Sequence, residues 1–277
     1  MDNAQIDLFS PAPPAAEAAA TKRAKLLETH ARLCREYGCP VAHWGELDPL
    51  SELVSALLSH RTRNRESGAA FKELRGRFPN GWAAVRDAPT GEVQAAIKAC
   101  NWPEQKAPRI QQVLRSITQR RDGDLSLDFL ADLSPAAARA WLEIMPGVGP
   151  KTSAAVLSFS RLRMRALPVD SHHHRVAQRL ELIPLTLDVG PAHAVLEAML
   201  PAAWNAQEVY DNHELLMFHG QRCCFFRQPE CERCVLLDLC PTGQARLAAV
   251  KRPEASSRKG AKPQRGRGKA GAFDGES

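Results

Sequence analysis

The sequence has no apolar run long enough to cross a membrane and no segment in which apolar and polar residues alternate convincingly. The first five residues, Met-Asp-Asn-Ala-Gln, lack the basic and apolar regions of a secretory signal peptide. These absences argue against a membrane protein, a secreted protein and a fold built on strands. We therefore expect an all-α protein of the cytoplasm.

Cysteine is not scarce, because the chain has eight in 277 residues. In a reducing cytoplasm this number indicates metal binding or chemical reactivity rather than disulfides. The chain is 44% hydrophobic, so it can bury a substantial core and could form one or two domains.

The two ends differ from the middle in composition. Residues 1–20 are rich in Ala and Pro and predict a flexible arm. Residues 245–277 predict a disordered tail, which from Lys251 onward holds eight basic and three acidic residues. Its net charge of +5 (8 − 3) is most of the chain's formal +6, so we expect the tail to add sequence-independent affinity for nucleic acid. A role in solubility alone is the alternative.

The most informative stretch is a glycine turn between two helix signals. Upstream, Ser134 can cap a helix that has Pro135 in its first position. Downstream of the turn Gly147-Val148-Gly149, Pro150 suits the first position of the next helix. Glycines let the backbone approach another group closely, and the free N–H groups at the start of a helix attract anions. A phosphate group is the expected anion, and an ordinary helix corner is the alternative.

Four cysteines stand close together toward the C-terminal end, at positions Cys224, Cys231, Cys234 and Cys240. Four thiolates within seventeen residues can surround one inorganic centre. Zinc is one candidate, since Cys231-x-x-Cys234 is a zinc-like knuckle, although zinc sites usually use two such knuckles and this segment has one. The adjacent Cys223 is not expected to be a ligand.

The hairpin, the Val-Asp-x-His segment that follows it and the cysteine spacing together resemble endonuclease III, a family of helix-hairpin-helix DNA glycosylases. The resemblance extends from about Leu50 to Thr242. It implies two helical lobes that flank a cleft. Residues 50–164 would form a helical barrel with the hairpin, and residues 22–49 with 165–244 would form a lobe that holds a [4Fe-4S] cluster.

The resemblance also implies an activity in base-excision repair. The protein, expected to be a monomer on double-stranded DNA, would flip out and excise a damaged base, with oxidised pyrimidines favoured. It would then nick the abasic site by β-elimination, which makes it a glycosylase and an AP lyase.

Several site residues follow from the same resemblance. The family places its catalytic lysine directly after the hairpin and its catalytic aspartate in the second motif, which here correspond to Lys151 and Asp170. Gly147, Gly149 and His172 would contact DNA. The four cysteines at 224, 231, 234 and 240 would hold the cluster. A helix cap is the alternative reading of Asp170, and it is compatible with catalysis.

Two positions depart from the residues that the family usually has. Arg61 stands where relatives usually carry a glutamine that fills the hole left by the flipped base. Trp102 stands where relatives have a leucine wedge, and an aromatic ring could unstack a base step. We expect both to contact DNA. The alternatives are a solvated helix end for Arg61 and a buried core position for Trp102.

The predicted arm contains Gln5-Ile-Asp-Leu-Phe9, which is similar to the pentapeptide with which bacterial repair proteins bind the sliding clamp. An exposed Leu8–Phe9 pair on a flexible spacer could insert into an apolar pocket, with Gln5 as a further contact. A chance match of five residues is the alternative.

A lysine that attacks deoxyribose C1′ must be neutral. Its reference pKa of about 10.4 lies about 3.4 units above pH 7, which corresponds to roughly 4.6 kcal/mol. A helix N-terminus supplies only about 0.3–1 kcal/mol. We therefore expect desolvation in a cleft to supply most of the activation of Lys151.

Two other functions stay open at this point. An adenine-type mismatch glycosylase would share the fold, but it usually lacks the lysine and carries an additional C-terminal domain. A catalytically weak sensor of DNA damage would use the hairpin, the tail and the cluster without turnover.

Overall fold

The computed structural model describes residues 15–43 and 47–250, and every regular element within these ranges is helical. This confirms the prediction of an all-α fold. No helix in the described ranges is long and apolar enough to span a membrane. The motif at Gln5–Phe9 and the basic tail from Lys251 lie outside these ranges.

The first lobe consists of seven helices around one apolar core. Local signals begin two of them: the Asp48 carboxylate accepts the backbone N–H of Ser51 at 2.9 Å, and the Ser134 hydroxyl accepts that of Ala137 at 3.2 Å. The core runs from Leu50 to Ala166. The helices are α2 (Pro49–Ser59), α3 (Asn64–Arg77), α4 (Trp82–Asp87), α5 (Thr90–Ala96), α6 (Pro103–Arg120), α7 (Pro135–Glu143) and α8 (Pro150–Phe159).

The second lobe joins the N-terminal helix to the C-terminal ones around a separate core. Its longest C-terminal helix starts in a capping box, in which the Asn205 side chain accepts the Glu208 backbone N–H at 3.0 Å and the Glu208 carboxylate accepts the Asn205 backbone N–H at 2.7 Å. The helices are α1 (Ala15–Tyr37), α9 (Ser171–Arg179), α10 (Val189–Met199), α11 (Ala206–Arg222) and α12 (Pro241–Val250).

A charged contact joins the two lobes. The Arg139 guanidinium on α7 bonds both carboxylate oxygens of Glu197 on α10, at 2.8 and 3.3 Å. The same carboxylate accepts the backbone N–H of Leu167, where the chain passes from one lobe to the other. Because both side chains are about one-fifth exposed, this bidentate pair is partly shielded from water and helps to hold the lobes in register.

The structure differs from the sequence predictions at both ends of the described chain. Helix α1 already begins at Ala15, so residues 15–20 are helical rather than part of a flexible arm. Helix α12 continues to Val250, so residues 245–250 are not disordered. The Gln244 amide anchors this helix by donating to the carbonyls of Leu237 and Asp238.

Two of the eight cysteines are paired, contrary to the expectation that none would be. Cys34, in the last turn of α1, forms a disulfide with Cys39. Gly38, with a φ of +89°, reverses the chain just after the helix and brings Cys39 back toward it. The spacing alone did not indicate this turn.

Candidate active site

A cleft of about 480 Å³ lies between the two lobes. The first lobe supplies most of its wall, from the C-terminal end of α2, the start of α6 and the glycine hairpin before α8. The second lobe contributes Val189, Gly190 and His193 at the start of α10. The cleft is therefore closed by groups that lie far apart in the sequence.

The hairpin presents its main chain to this cleft, since both Gly147 and Gly149 line it. Gly147 has a φ of +81°, and a Cβ atom there would lie 2.7 Å from the Arg109 side chain. A side chain at this position would thus strain the backbone and displace Arg109. The hydroxyl of Ser153 on α8 donates to the Glu143 carboxylate on α7 at 2.7 Å, which locks the two helices of the hairpin together.

Lys151 lies in the first turn of α8 and lines the cleft. Burial lowers the pKa of its ammonium group, as the chemical argument from the sequence required. The carboxylates of Asp170 and Glu52 act in the opposite direction, because each stabilises the positive charge. The lysine is thus held in a desolvated site between two acidic groups.

Asp170 caps helix α9 with one oxygen. Its Oδ1 accepts the backbone N–H groups of His172 at 2.9 Å and of His173 at 2.7 Å. Burial alone would raise the pKa of this carboxyl, but interactions with His213 and the backbone N–H of His173 outweigh burial and lower it. Burial also lowers the pKa of His213 to about 4, so this histidine is neutral near pH 7. Both hydrogen bonds of the cap are accepted by Oδ1, and they favour the ionised form of Asp170.

Glu52 is a site residue that the sequence analysis did not single out. It is half-buried in the first turn of α2, and burial raises the pKa of its carboxyl to about 7, while Lys151 lowers it and Asp48 raises it further. At neutral pH this group is partly protonated, whereas Asp170 is ionised. The two carboxyl groups that interact with Lys151 thus carry different charges on average.

Lys106 is a second lysine in the cleft that the sequence analysis missed. Its buried Nζ donates to the Leu58 carbonyl at 2.6 Å and to the Thr62 hydroxyl at 2.7 Å, and burial lowers the pKa of the amine. Its position four residues before Ile110, on the apolar stripe of α6, could have indicated that Lys106 is buried. Because Nζ is bound to the end of α2, Lys106 holds that end against α6.

Arg61 and Trp102 are neighbours at the edge of the cleft. The Arg61 guanidinium lies 5.9 Å from the centre of the Trp102 ring, and both residues line the cleft. The Asn101 amide donates to the Arg61 carbonyl at 2.6 Å, which joins the two loops that carry them. Trp102 is 44% exposed, so it is not the buried core residue that was the alternative. His60 lies beside them and accepts or donates a 2.9 Å hydrogen bond with the Thr152 hydroxyl.

His172 does not line the cleft with the other predicted DNA contacts. It packs against α11, where a Cβ atom on Gly220 would lie 2.8 Å from its own Cβ. Its Nδ1 is paired with the Arg175 guanidinium at 3.2 Å. The structure therefore places His172 between α9 and α11, and its contact with DNA stays a prediction.

The four clustered cysteines line one small pocket in the second lobe, bounded by α9, α11 and α12. Apolar side chains, among them Val176 and Leu236, surround it, and the Arg179 guanidinium donates to the Cys224 sulfur at 3.1 Å. Burial raises the pKa of Cys234 to about 12 and that of Cys240 to about 11. Four sulfurs around one shielded space fit an all-cysteine iron–sulfur centre.

Cys223 and His219 also line this pocket. The ligand atoms of His219, Cys223 and Cys234 all lie within 4.8 Å of one another, so they could also approach a single metal ion. Cys223 is buried, and its sulfur donates to the Glu230 carbonyl at 3.6 Å. The sequence analysis did not anticipate that the histidine would stand beside the cysteines.

Comparison with solved structures places this fold among the helix-hairpin-helix DNA glycosylases. A trapped endonuclease III–DNA covalent intermediate matches with a TM-score of 0.69, at 22% identity, over 81% of this chain and 98% of that one. A thermostable thymine-DNA glycosylase matches with a TM-score of 0.63, at 21% identity, over 82% of this chain and 99% of that one. At these identities the match defines the fold.

Relatives that are similar in sequence are named endonuclease III or DNA glycosylase. Endonuclease III of Escherichia coli K12 is 29% identical over 220 residues, which span 79% of this chain and 95% of that protein. An Arabidopsis thaliana protein provisionally named a DNA glycosylase is 33% identical over 174 residues, 63% of this chain and 57% of that protein. No family model matches the chain. The chain is thus similar in sequence to endonuclease III and to a DNA glycosylase, and it shares the fold of the helix-hairpin-helix DNA glycosylases.

Proposed function

We propose that this protein is a bifunctional enzyme of base-excision repair, a DNA glycosylase that also has AP lyase activity. One observation carries the proposal: a desolvated lysine lies in the first turn of the helix after the hairpin and interacts with the carboxylate that caps α9. A protein that only senses damage has no need for a lysine whose charge burial disfavours. We also propose oxidised pyrimidines as the substrates, on the basis of the motifs that resemble endonuclease III.

Binding begins at the hairpin in this proposal. The main chain at Gly147 and Gly149 approaches a phosphate of the damaged strand, and the N-terminus of α8 favours its negative charge. The flipped nucleotide enters the cleft, whose volume of about 480 Å³ falls in the range of small-molecule sites. Arg61 and Trp102, which lie together at its edge, take the space that the base leaves.

The reaction starts with proton loss from the Lys151 ammonium group, which burial makes easier. The lone pair of Nζ then attacks C1′, and the bond between C1′ and the base breaks as its electron pair leaves with the base. The bound amine then loses a proton, and the C1′–O4′ bond breaks as a C1′=N Schiff base forms. Loss of a proton from C2′ gives a C2′=C3′ double bond, and the C3′–O3′ bond breaks as the 3′ phosphate leaves. Asp170 stays ionised and stabilises the positive charge that develops on the sugar.

We further propose that Cys224, Cys231, Cys234 and Cys240 hold a [4Fe-4S] cluster. The support is the single shielded pocket that these four sulfurs line. When bound, the cluster would order the segment between α11 and α12 by linking its cysteines. The reaction at Lys151 needs no electron from it. Purified protein with about four irons per chain would agree with this proposal, whereas colourless protein with one zinc per chain would contradict it.

Covalent trapping tests the proposed enzyme. Borohydride reduces a Schiff base to a stable amine, so the wild-type protein should become linked to a duplex that contains one abasic site. Lys151→Ala should not be trapped, because the attacking amine is gone. The exposed Lys98→Ala variant is the matched control and should be trapped like the wild type.

A second variant separates the two cleft lysines. Lys106→Met should still be trapped to a detectable extent, because its Nζ is already bonded to Leu58 and Thr62. Trapping that persists in Lys151→Ala and disappears in Lys106→Met would move the nucleophile to Lys106. A wild-type protein that binds the duplex and never forms the covalent product would reduce the function to DNA binding.

A further inference from the structure

His219 lies between the end of α1 and the cysteine pocket, and it is only 2% exposed. Each of its ring nitrogens has one partner. Nδ1 is 3.1 Å from the Tyr37 hydroxyl, and Nε2 is 3.5 Å from the sulfur of Cys234. A buried imidazole thus connects a phenol at the lobe surface to one of the four cysteines that we assign to the cluster.

The chemistry of the two partners determines where the ring protons lie. A cysteine that ligates iron is a thiolate, and a thiolate sulfur can only accept a hydrogen bond. Nε2 must then carry a proton and donate it to Cys234. A neutral imidazole carries one ring proton, so Nδ1 has a lone pair and accepts a hydrogen bond from the Tyr37 hydroxyl. Burial raises the pKa of Tyr37 to about 12, so this hydroxyl keeps its proton. Only this tautomer satisfies all three groups.

Several contacts hold Tyr37 in place for this role. It is the last residue of α1, and the Arg222 guanidinium lies 5.5 Å from the centre of its ring. The turn that follows is closed by a hydrogen bond from the Gly38 N–H to the Cys34 carbonyl, at 2.9 Å, and by the disulfide between Cys34 and Cys39. The hydroxyl is therefore delivered to Nδ1 by a restrained backbone.

We propose that Tyr37 and His219 act as a positioning pair that fixes an N–H···S hydrogen bond on Cys234 and so tunes the proposed cluster. This inference rests on the proposed cofactor and not on the glycosylase chemistry. A hydrogen bond to a ligand sulfur stabilises the more negative, reduced form of a cluster, which raises its reduction potential. Without this donor, Cys234 would be a buried thiolate with one fewer compensating hydrogen bond.

The competing assignment makes His219 a metal ligand. The group of His219, Cys223 and Cys234 is compact enough for one ion, such as zinc. A ligand nitrogen cannot at the same time donate a proton to the neighbouring sulfur, so the two assignments predict different results for the same substitutions.

Four variants of the full-length protein, purified without air, test the positioning pair. Tyr37→Phe removes one oxygen atom, and Tyr210→Phe is its matched control because that hydroxyl bonds Ala42. His219→Gln keeps an N–H near the position of Nε2, whereas His219→Asn keeps one only near Nδ1. The readouts are iron and zinc per chain, the visible spectrum and the reduction potential of the iron-loaded protein.

The reduction potential of the iron-loaded protein should shift to more negative values in His219→Asn, and by a smaller amount in Tyr37→Phe. His219→Gln should lie closer to the wild type than His219→Asn does, and Tyr210→Phe should match the wild type. Equal potentials in iron-loaded wild type, Tyr37→Phe and His219→Asn would overturn the proposal. Loss of the metal in both His219 variants, with full loading of Tyr37→Phe at an unshifted potential, would also overturn it and make His219 a ligand.

The failure of this inference can be told apart from the failure of the proposed function. If the wild-type protein lacks iron, both the cluster and the positioning pair are refuted, while borohydride trapping still decides the activity. If the wild type has iron but is not trapped on an abasic duplex, the lyase proposal fails and the potentials of the variants still decide the role of His219.

Discussion

Replacing Glu52 by Gln should change the stability of the protein in a pH-dependent way. The carboxyl group of Glu52 is half-buried at the start of α2, and burial is the main reason why its pKa rises from 4.5 to about 7. Glutamine has nearly the same shape and cannot ionise. The substitution therefore removes the cost of charging this site with little change in packing.

The magnitude follows from the two pKa values. The folded pKa is raised above the unfolded one, so the contribution of Glu52 to stability is fully present below about pH 4.5 and is lost as the pH rises through about 7. The difference of 2.5 units (7 − 4.5), at about 1.4 kcal/mol per unit, amounts to roughly 3 kcal/mol. Relative to the wild type, Glu52→Gln should gain about this much between pH 4.5 and pH 8.5.

Denaturant unfolding of the wild type and of Glu52→Gln at both pH values measures this difference. Any effect of the glutamine on stability that does not depend on pH cancels when the two pH values are compared. The exposed Glu73→Gln variant on α3 is the matched control and should follow the wild type. A midpoint near pH 7 in a carbon-13 titration of the Glu52 carboxyl would identify the group directly. Stability curves that run parallel from pH 4.5 to 8.5 would refute the reasoning.

The same substitution should also affect Lys151, because the carboxylate of Glu52 stabilises the ammonium form. Without it, the pKa of the lysine falls further and the fraction of free amine rises. Borohydride trapping at about pH 8, where the Glu52 carboxyl is ionised, should be faster in Glu52→Gln than in the wild type. Slower trapping, with unchanged DNA binding, would instead show that Glu52 assists the reaction.

Three further predictions concern other parts of the chain. Asp170→Asn should bind an abasic duplex normally and lose about 100-fold or more in single-turnover rate, because the amide can still cap α9 but carries no charge; a near-normal rate would leave only the cap. Removing residues 251–277 should weaken DNA binding and flatten its salt dependence, since their net charge is +5 (8 − 3), while an unaltered salt slope would limit the tail to solubility. A peptide of residues 1–12 should bind a purified bacterial sliding clamp with about micromolar affinity, and replacing both Leu8 and Phe9 by Ala should abolish this binding. Equal binding of the two peptides would make the motif a coincidence.

Predictions from the sequence were most successful where a structure depends on neighbours along the chain. The cap at Ser134, the start of α8 at Pro150 and the cap at Asp170 are hydrogen bonds or φ preferences within a few residues. Helix α10 was not predicted, because the residues at its start are typical of a loop. Its first turn contains Gly190 and Pro191, which usually indicate a loop, yet Ala192, His193 and Leu196 are buried against the rest of the lobe.

The sequence by itself determined that the fold is helical, where the glycine hairpin lies and that four cysteines are close enough to share one centre. The tertiary structure alone decided which groups surround Lys151, since Glu52 comes from α2, which packs against α8 within the first lobe, and Asp170 precedes α9 and reaches the lysine only after the two lobes have packed. The same holds for the contact of Arg61 with Trp102 and for the position of His219 beside Cys234. The physical reason is that helix propensity and capping depend on adjacent residues, whereas burial, desolvation and the distance between charges depend on how separate helices are placed in space.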